Sequence, residues 1–156
     1  ALAGFSAQNI GAGQPARLKP GLKGAVILCL ILTIPCLLFF FFFPRLSMGI
    51  FVSQESTDII NAGATYLRIV SPFVLVVVFK QLCDAILQGA GAAREFVITT
   101  FSDLALRVLL AYLLPIWMGY LGIWWAWPLG WAIGTVISVY FYRSGHWKSV
   151  HLLDAI

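Results

Sequence analysis

Charge is scarce in this sequence. Asp, Glu, Lys and Arg make up only 10% of its 156 residues, and 61% are hydrophobic. A soluble domain carries about 25% charged residues. So short a chain also has too little interior to bury that much apolar surface. The shortage excludes a free-standing soluble domain. Alternation is missing too: Gly24-Ala25-Val26-Ile27-Leu28-Cys29-Leu30-Ile31-Leu32 is continuously apolar, whereas a membrane barrel strand alternates over about ten residues. In lipid every backbone polar group must be paired within the structure, so helices are what remain. Cys29, Cys36 and Cys83 sit in apolar stretches without metal-ligand spacing, and they read as small buried hydrophobes. There is no phosphate loop, no His-Glu-x-x-His and no nucleophile elbow. An enzyme, a bound metal and a cofactor are therefore not expected. Gly11-Ala12-Gly13-Gln14-Pro15-Ala16 has dinucleotide-loop spacing, but it lies between apolar helices rather than in a βαβ unit, so that reading is rejected. His146 and His151 stand in a polar tail. No basic stripe on a soluble face points to nucleic acid.

What is present is a series of long apolar runs. Residues 24–44 and 108–142 contain no charge, and about 20 apolar residues suffice to cross a bilayer. The runs follow one another without a soluble domain behind them, which also sets aside a signal peptide. The sequence predicts an all-α, polytopic transmembrane helix bundle, with four full spans plus the end of a fifth helix. Residues 1–10 read as the end of a transmembrane helix and 11–23 as a basic cytoplasmic loop. Spans are expected over 24–43, 60–88, 95–117 and 122–142. An outer loop over 44–59, a cytoplasmic turn over 89–94, an outer turn over 118–121 and a cytoplasmic tail over 143–156 connect and end them. The chain starts at Ala1 in the middle of this pattern, and it reads as a fragment of a larger bundle.

Lys and Arg fix the expected orientation. Arg17, Lys19, Lys23, Arg94, Arg143 and Lys148 fall on one side, and Arg45 alone on the other. By the positive-inside rule, loop 11–23 and the C-terminus face the cytoplasm of a cell-membrane protein. The net charge of +4 is then largely a topology signal. Trp117, Tyr120, Trp124, Trp125, Trp127 and Trp131 crowd the outer end, and Tyr140, Tyr142 and Trp147 mark the inner end. Amphipathic rings favour both interfaces, although an aromatic pocket for a flat substrate stays open as a reading. Pro35, Pro72 and Pro128 lie inside spans, as lipid-embedded helices tolerate.

Four ionisable residues stand within two consecutive spans: Lys80, Asp84, Asp103 and Arg107. Such residues are costly in lipid and face a cavity or each other. Lys80 and Asp84 are four apart, as are Asp103 and Arg107, so each pair shares a helix face. The pairs mirror each other about the turn near Ala93-Arg94. In an antiparallel hairpin both acids lie at one depth, on the order of 10–15 Å inside the boundary at 1.5 Å per residue. If the faces meet, the four form a neutral quartet. That quartet is either an ion-pair lock between helices or a site for protons, cations or substrate groups.

The helix ends carry an internal echo. Gln8-Asn9-Ile10-Gly11-Ala12-Gly13 is followed by Arg17, and Leu87-Gln88-Gly89-Ala90-Gly91 by Arg94. Both read as glycine-terminated helices. Together with Gly122-Ile123-Trp124-Trp125-Ala126-Trp127-Pro128, these segments resemble the multidrug and toxic compound extrusion (MATE) family over residues 1–148. The order matches the end of helix eight to helix twelve of a twelve-helix, two-lobe transporter. The resemblance implies a secondary antiporter that exports organic, often cationic and aromatic, compounds in exchange for sodium ions or protons. Its expected partners are the bilayer, a small organic substrate and the remaining half of the transporter. It also implies a structural role for Gln8, Asn9, Gly11, Gly13, Arg17, Gln88, Gly89 and Gly91. In one sodium-coupled branch of the family, a carboxylate in the tenth helix binds the cation about three turns before the closing glycines. Val76, Val77 and Val78 occupy that region here, so the coupling site is not located by the resemblance. A flippase for a lipid-linked sugar would want several basic residues in its cavity, and only Lys80 and Arg107 are offered. A non-transporting helix bundle is the further alternative.

Overall fold

The computed structural model describes residues 1–52, 56–145 and 147. The described residues are helical throughout apart from short turns. The helices are α1 (Leu2–Gly11), α2 (Leu18–Phe42), α3 (Pro44–Gly49), α4 (Thr57–Val70), α5 (Val74–Gly89), α6 (Ala93–Leu113), α7 (Pro115–Met118) and α8 (Tyr120–Ser144). Among the described residues, three helical stretches are long and apolar enough to cross a membrane: Pro15–Phe42, Thr57–Gly89 and Ala93–Met118. The sequence had suggested a fourth in α8, which is 25 residues long and free of charge up to Tyr142. Four tryptophans and three glycines dilute its hydropathy.

Several boundaries differ from the sequence reading. Helix begins at Leu18, inside the segment 11–23 read as a loop. Pro20 falls in the first turn, where its missing N–H costs no intrahelical bond. The 44–59 loop contains α3, which Pro44 opens. Residues 60–88 lie in one helical stretch, Thr57–Gly89, that a 3-10 turn divides into two α-helices. A 3-10 turn, Ser71–Phe73, joins α4 to α5 around Pro72, whose ring and missing donor break the ladder. Pro115 separates α7 from α6 in the same way. Pro35 and Pro128 remain inside α2 and α8. Of the tail 143–156, His146, Lys148 and His151 lie outside the described residues.

The echoed glycine segments form one motif used twice. At the end of α1, Gln14 N–H donates to Asn9 O at 2.8 Å and Gly13 N–H to Ile10 O at 2.9 Å. At the end of α5, Ala92 N–H donates to Leu87 O at 3.0 Å and Gly91 N–H to Gln88 O at 3.2 Å. Both are Schellman closures. Gly13 and Gly91 take φ values of 68° and 72°, the left-handed region that a Cβ disfavours. Asn9 adds a side-chain bond, its Nδ2 donating to Phe5 O at 2.8 Å. Gln8, Gln88 and Arg17 are exposed.

Gly89 does something else. A Cβ there would run into the Ala3 carbonyl and come within 2.7 Å of Ser6 Cβ, so it is the point where α1 crosses α5. Gly89→Ala is expected to push α1 away and to cost about 1–3 kcal/mol, as overpacking does. A denaturant titration of the purified protein checks this; an unchanged midpoint would mean the crossing is loose. At this end of the bundle Ile10, Leu18, Ile86, Leu87, Ala90, Ala92 and Trp147 form one buried cluster. It joins the ends of α1, α5 and α8 to the beginnings of α2 and α6. Elsewhere large apolar side chains face outward, among them Leu32, Phe101 and Val108, as lipid-facing surfaces do.

Candidate functional site

The site is built on α8. Gly122, Ala126, Gly130, Gly134 and Ser138 recur every fourth residue and all are buried. A small residue at every fourth position lets neighbouring backbones approach closely in a membrane. Helix α8 packs most extensively on α6 and next on α5, while α5 and α6 touch each other far less. The two charged helices are therefore brought together by α8 rather than by their own hairpin contact.

Both charge pairs form. Lys80 Nζ donates to Asp84 Oδ2 at 2.6 Å, with both side chains about 95% removed from solvent. Arg107 Nη2 lies 3.0 Å from Asp103 Oδ2. The expected quartet thus exists as two pairs on one helix face each, but no ion pair joins one to the other among the described residues. Gly134 stands between them. A Cβ at Gly134 would lie 3.0 Å from Lys80 Cε and 3.2 Å from Asp103 Oδ1. The two pairs therefore converge on one glycine, and a side chain at position 134 would press on both.

Three further residues complete the site; the sequence reading named Trp127 only as an outer-end aromatic and passed over Ser138 and Gly130. Ser138 Oγ donates to Asp84 Oδ1 at 2.7 Å, so both oxygens of that carboxylate are held. Gly130 makes room for Arg107, whose Cγ fills the space a Cβ would take. Trp127 lies under the guanidinium, with Arg107 Cζ 4.9 Å from a ring centroid. That is cation–π range. The four-residue spacing of small residues in α8 was the signal that could have revealed this face. Further along, Thr135 Oγ1 donates to Trp131 O at 2.6 Å and to Val76 O at 3.1 Å, tying α8 to the first turn of α5.

Two buried polar atoms of the site are left without a partner. Asp103 Oδ1 is buried without a hydrogen-bond partner, as is Arg107 Nε. A buried carboxylate oxygen left unpaired is unusual, because each such group forfeits hydration it had in water. Asp84 is satisfied, and Asp103 is satisfied on one oxygen only. Outer-end aromatics make edge-to-face contacts: Trp124 meets Tyr66 at 5.9 Å and Tyr120 at 5.3 Å, and Trp125 meets Phe73 at 5.9 Å.

No curated protein and no solved structure matches the chain. The family model for MatE matches residues 1–113, which takes in α1 to α6 and both charge pairs but stops short of α8. That match covers most of the chain, and it agrees with the helical architecture and the membrane-spanning lengths described above. The chain is a multi-pass membrane protein of transporter type and belongs to the MatE family.

Proposed function

We propose that the chain forms part of a secondary active transporter that exports organic, often cationic and aromatic, compounds by antiport. The fragment would supply most of one lobe, with the remaining half of the transporter as its partner and α8 as its fourth span. Loop 11–23 and the C-terminus face the cytoplasm in this reading. The observation that carries it is the orphaned Oδ1 of Asp103, buried beside Lys80 and Gly134.

The electrostatics support antiport. Two carboxylates and two cationic groups make a cluster with no net charge. A cation taken up there leaves it at +1, and a cationic compound nearby is then repelled. The two cargoes disfavour each other, as exchange requires. The donor set supports a proton over a sodium ion. A hard metal cation wants several oxygen ligands, and the other carboxylate oxygens already hold Lys80, Ser138 and Arg107. A proton needs only Oδ1. Its arrival weakens the hold of Asp103 on Arg107, and the α6–α8 contact through Gly130 and Trp127 is then free to shift.

The test is efflux of ethidium from cells expressing the full-length gene, with the proton and sodium gradients collapsed in turn. Loss of efflux on collapsing the proton gradient is the expected result, with Asp103→Asn abolishing that dependence. Loss on collapsing sodium alone would overturn the proton assignment. An absence of efflux under every condition, with the protein confirmed in the membrane, would favour a lipid-linked sugar flippase.

A further inference from the structure

A concave feature lies away from the charged cluster, at the end of the bundle where α1, α5 and α8 finish. A groove of about 520 Å³ is lined by Pro15, Leu18, Lys19, Tyr142, Arg143 and Trp147, among others. It opens between the start of α2 and the end of α8. One wall is cationic: Lys19 and Arg143 are both exposed, and among the described residues no carboxylate lines the groove.

The other wall is held rigidly. After α8 the chain reverses at Gly145, which carries Trp147 back onto the bundle. The Trp147 ring stacks on Tyr142 with centroids 5.9 Å apart and planes 10° from parallel. Its Nε1 donates to Tyr142 O at 2.8 Å, and only 3% of the residue is exposed. The floor is Leu18, 1% exposed and part of the buried cluster. The groove is thus an aromatic and apolar cleft with two exposed cations at its mouth, set at the level where two long apolar helices end.

We propose that this groove holds the headgroup of an anionic phospholipid. Lys19 and Arg143 meet the phosphate, and the acyl chains run down the apolar face of α2. Basic pockets between membrane helices recognise anionic headgroups in this manner. The aromatic pair keeps water from the phosphate contact and fixes the depth at which the headgroup sits. The assignment stands apart from the transport reading, because no residue of the charged cluster takes part.

Native mass spectrometry of the full-length protein in detergent tests it, with phosphatidylglycerol and phosphatidylcholine titrated in parallel. Each cation near an anionic surface contributes about 1 kcal/mol, or about five-fold in affinity. The expected result is preferential retention of phosphatidylglycerol, reduced about thirty-fold in Lys19→Gln/Arg143→Gln. Both positions are exposed, so the variant is expected to fold, and an unchanged melting temperature confirms it. Arg94→Gln removes an exposed cation at the same end that does not line the groove, and it should leave retention unchanged. Equal retention of the two lipids, an undiminished preference in the double variant, or an equal loss in Arg94→Gln would overturn the proposal. Inorganic phosphate added as a competitor separates the sources. Displacement of phosphatidylglycerol by phosphate at comparable concentration would assign the groove to a soluble anion instead.

Discussion

Lys80→Met is expected to destabilise the folded bundle by about 3–5 kcal/mol, the usual cost of breaking a buried ion pair by removing one partner. The Lys80–Asp84 pair is nearly free of solvent. Without the ammonium, Asp84 keeps only the hydrogen bond from Ser138 and its charge is uncompensated. The double change Lys80→Met/Asp84→Leu removes both charges and leaves side chains of similar volume, so most of the lost stability should return. Such replacements of a whole buried pair are often neutral or stabilising. Fluorescence-detected size exclusion of the solubilised protein, followed across a denaturant titration, reads both variants. If Lys80→Met were as stable as the parent, water must reach Asp84, and the site would be a wet cavity rather than a packed one.

Arg107→Ala should likewise be worse than the double change Asp103→Asn/Arg107→Gln. The single change strands a carboxylate whose Oδ1 already lacks a partner, and it also empties the space over Trp127 and Gly130. The Arg107 side chain is 25% exposed, so solvent screens part of the loss and about 2–3 kcal/mol is expected. The double change keeps two hydrogen-bonding side chains of nearly the same shape and should fold. Its efflux should no longer respond to the proton gradient, because the carboxylate oxygen proposed to take up the proton is gone. Normal expression with normal, gradient-dependent efflux would remove this pair from any coupling role and leave it as a lock between α6 and α8.

Much of this protein was legible before any coordinates. The uncharged stretches over residues 24–44 and 108–142 demand helices in lipid, because no other open structure pairs its backbone there. The four-residue spacing of Lys80 with Asp84, and of Asp103 with Arg107, placed each pair on a common face, and both pairs form. The repeated glycine segments foretold two helix endings, and both close through a left-handed glycine. The boundary at Leu18 was missed because Lys19 and Pro20 look like loop chemistry, although a first helical turn accepts both. Pro72 was placed inside the span 60–88, but the sequence did not say that it, unlike Pro35 and Pro128, would divide its helix.

What the sequence by itself determined is the class of structure and the chemistry of each pair, since both follow from local periodicity and from the cost of charge in lipid. Only the tertiary structure decided how the pairs meet. Their mirror placement about the α5–α6 turn would let the pairs touch across that hairpin if their faces met, which the sequence left open. Instead α8, about thirty residues later in the chain, enters between them, because its small residues at every fourth position let two backbones close on it. Gly134 then sets the spacing between Lys80 and Asp103, Ser138 satisfies Asp84, and Asp103 keeps its unpaired oxygen. These are contacts between residues far apart in sequence. They depend on where α8 packs, which no local pattern in α5 or α6 encodes.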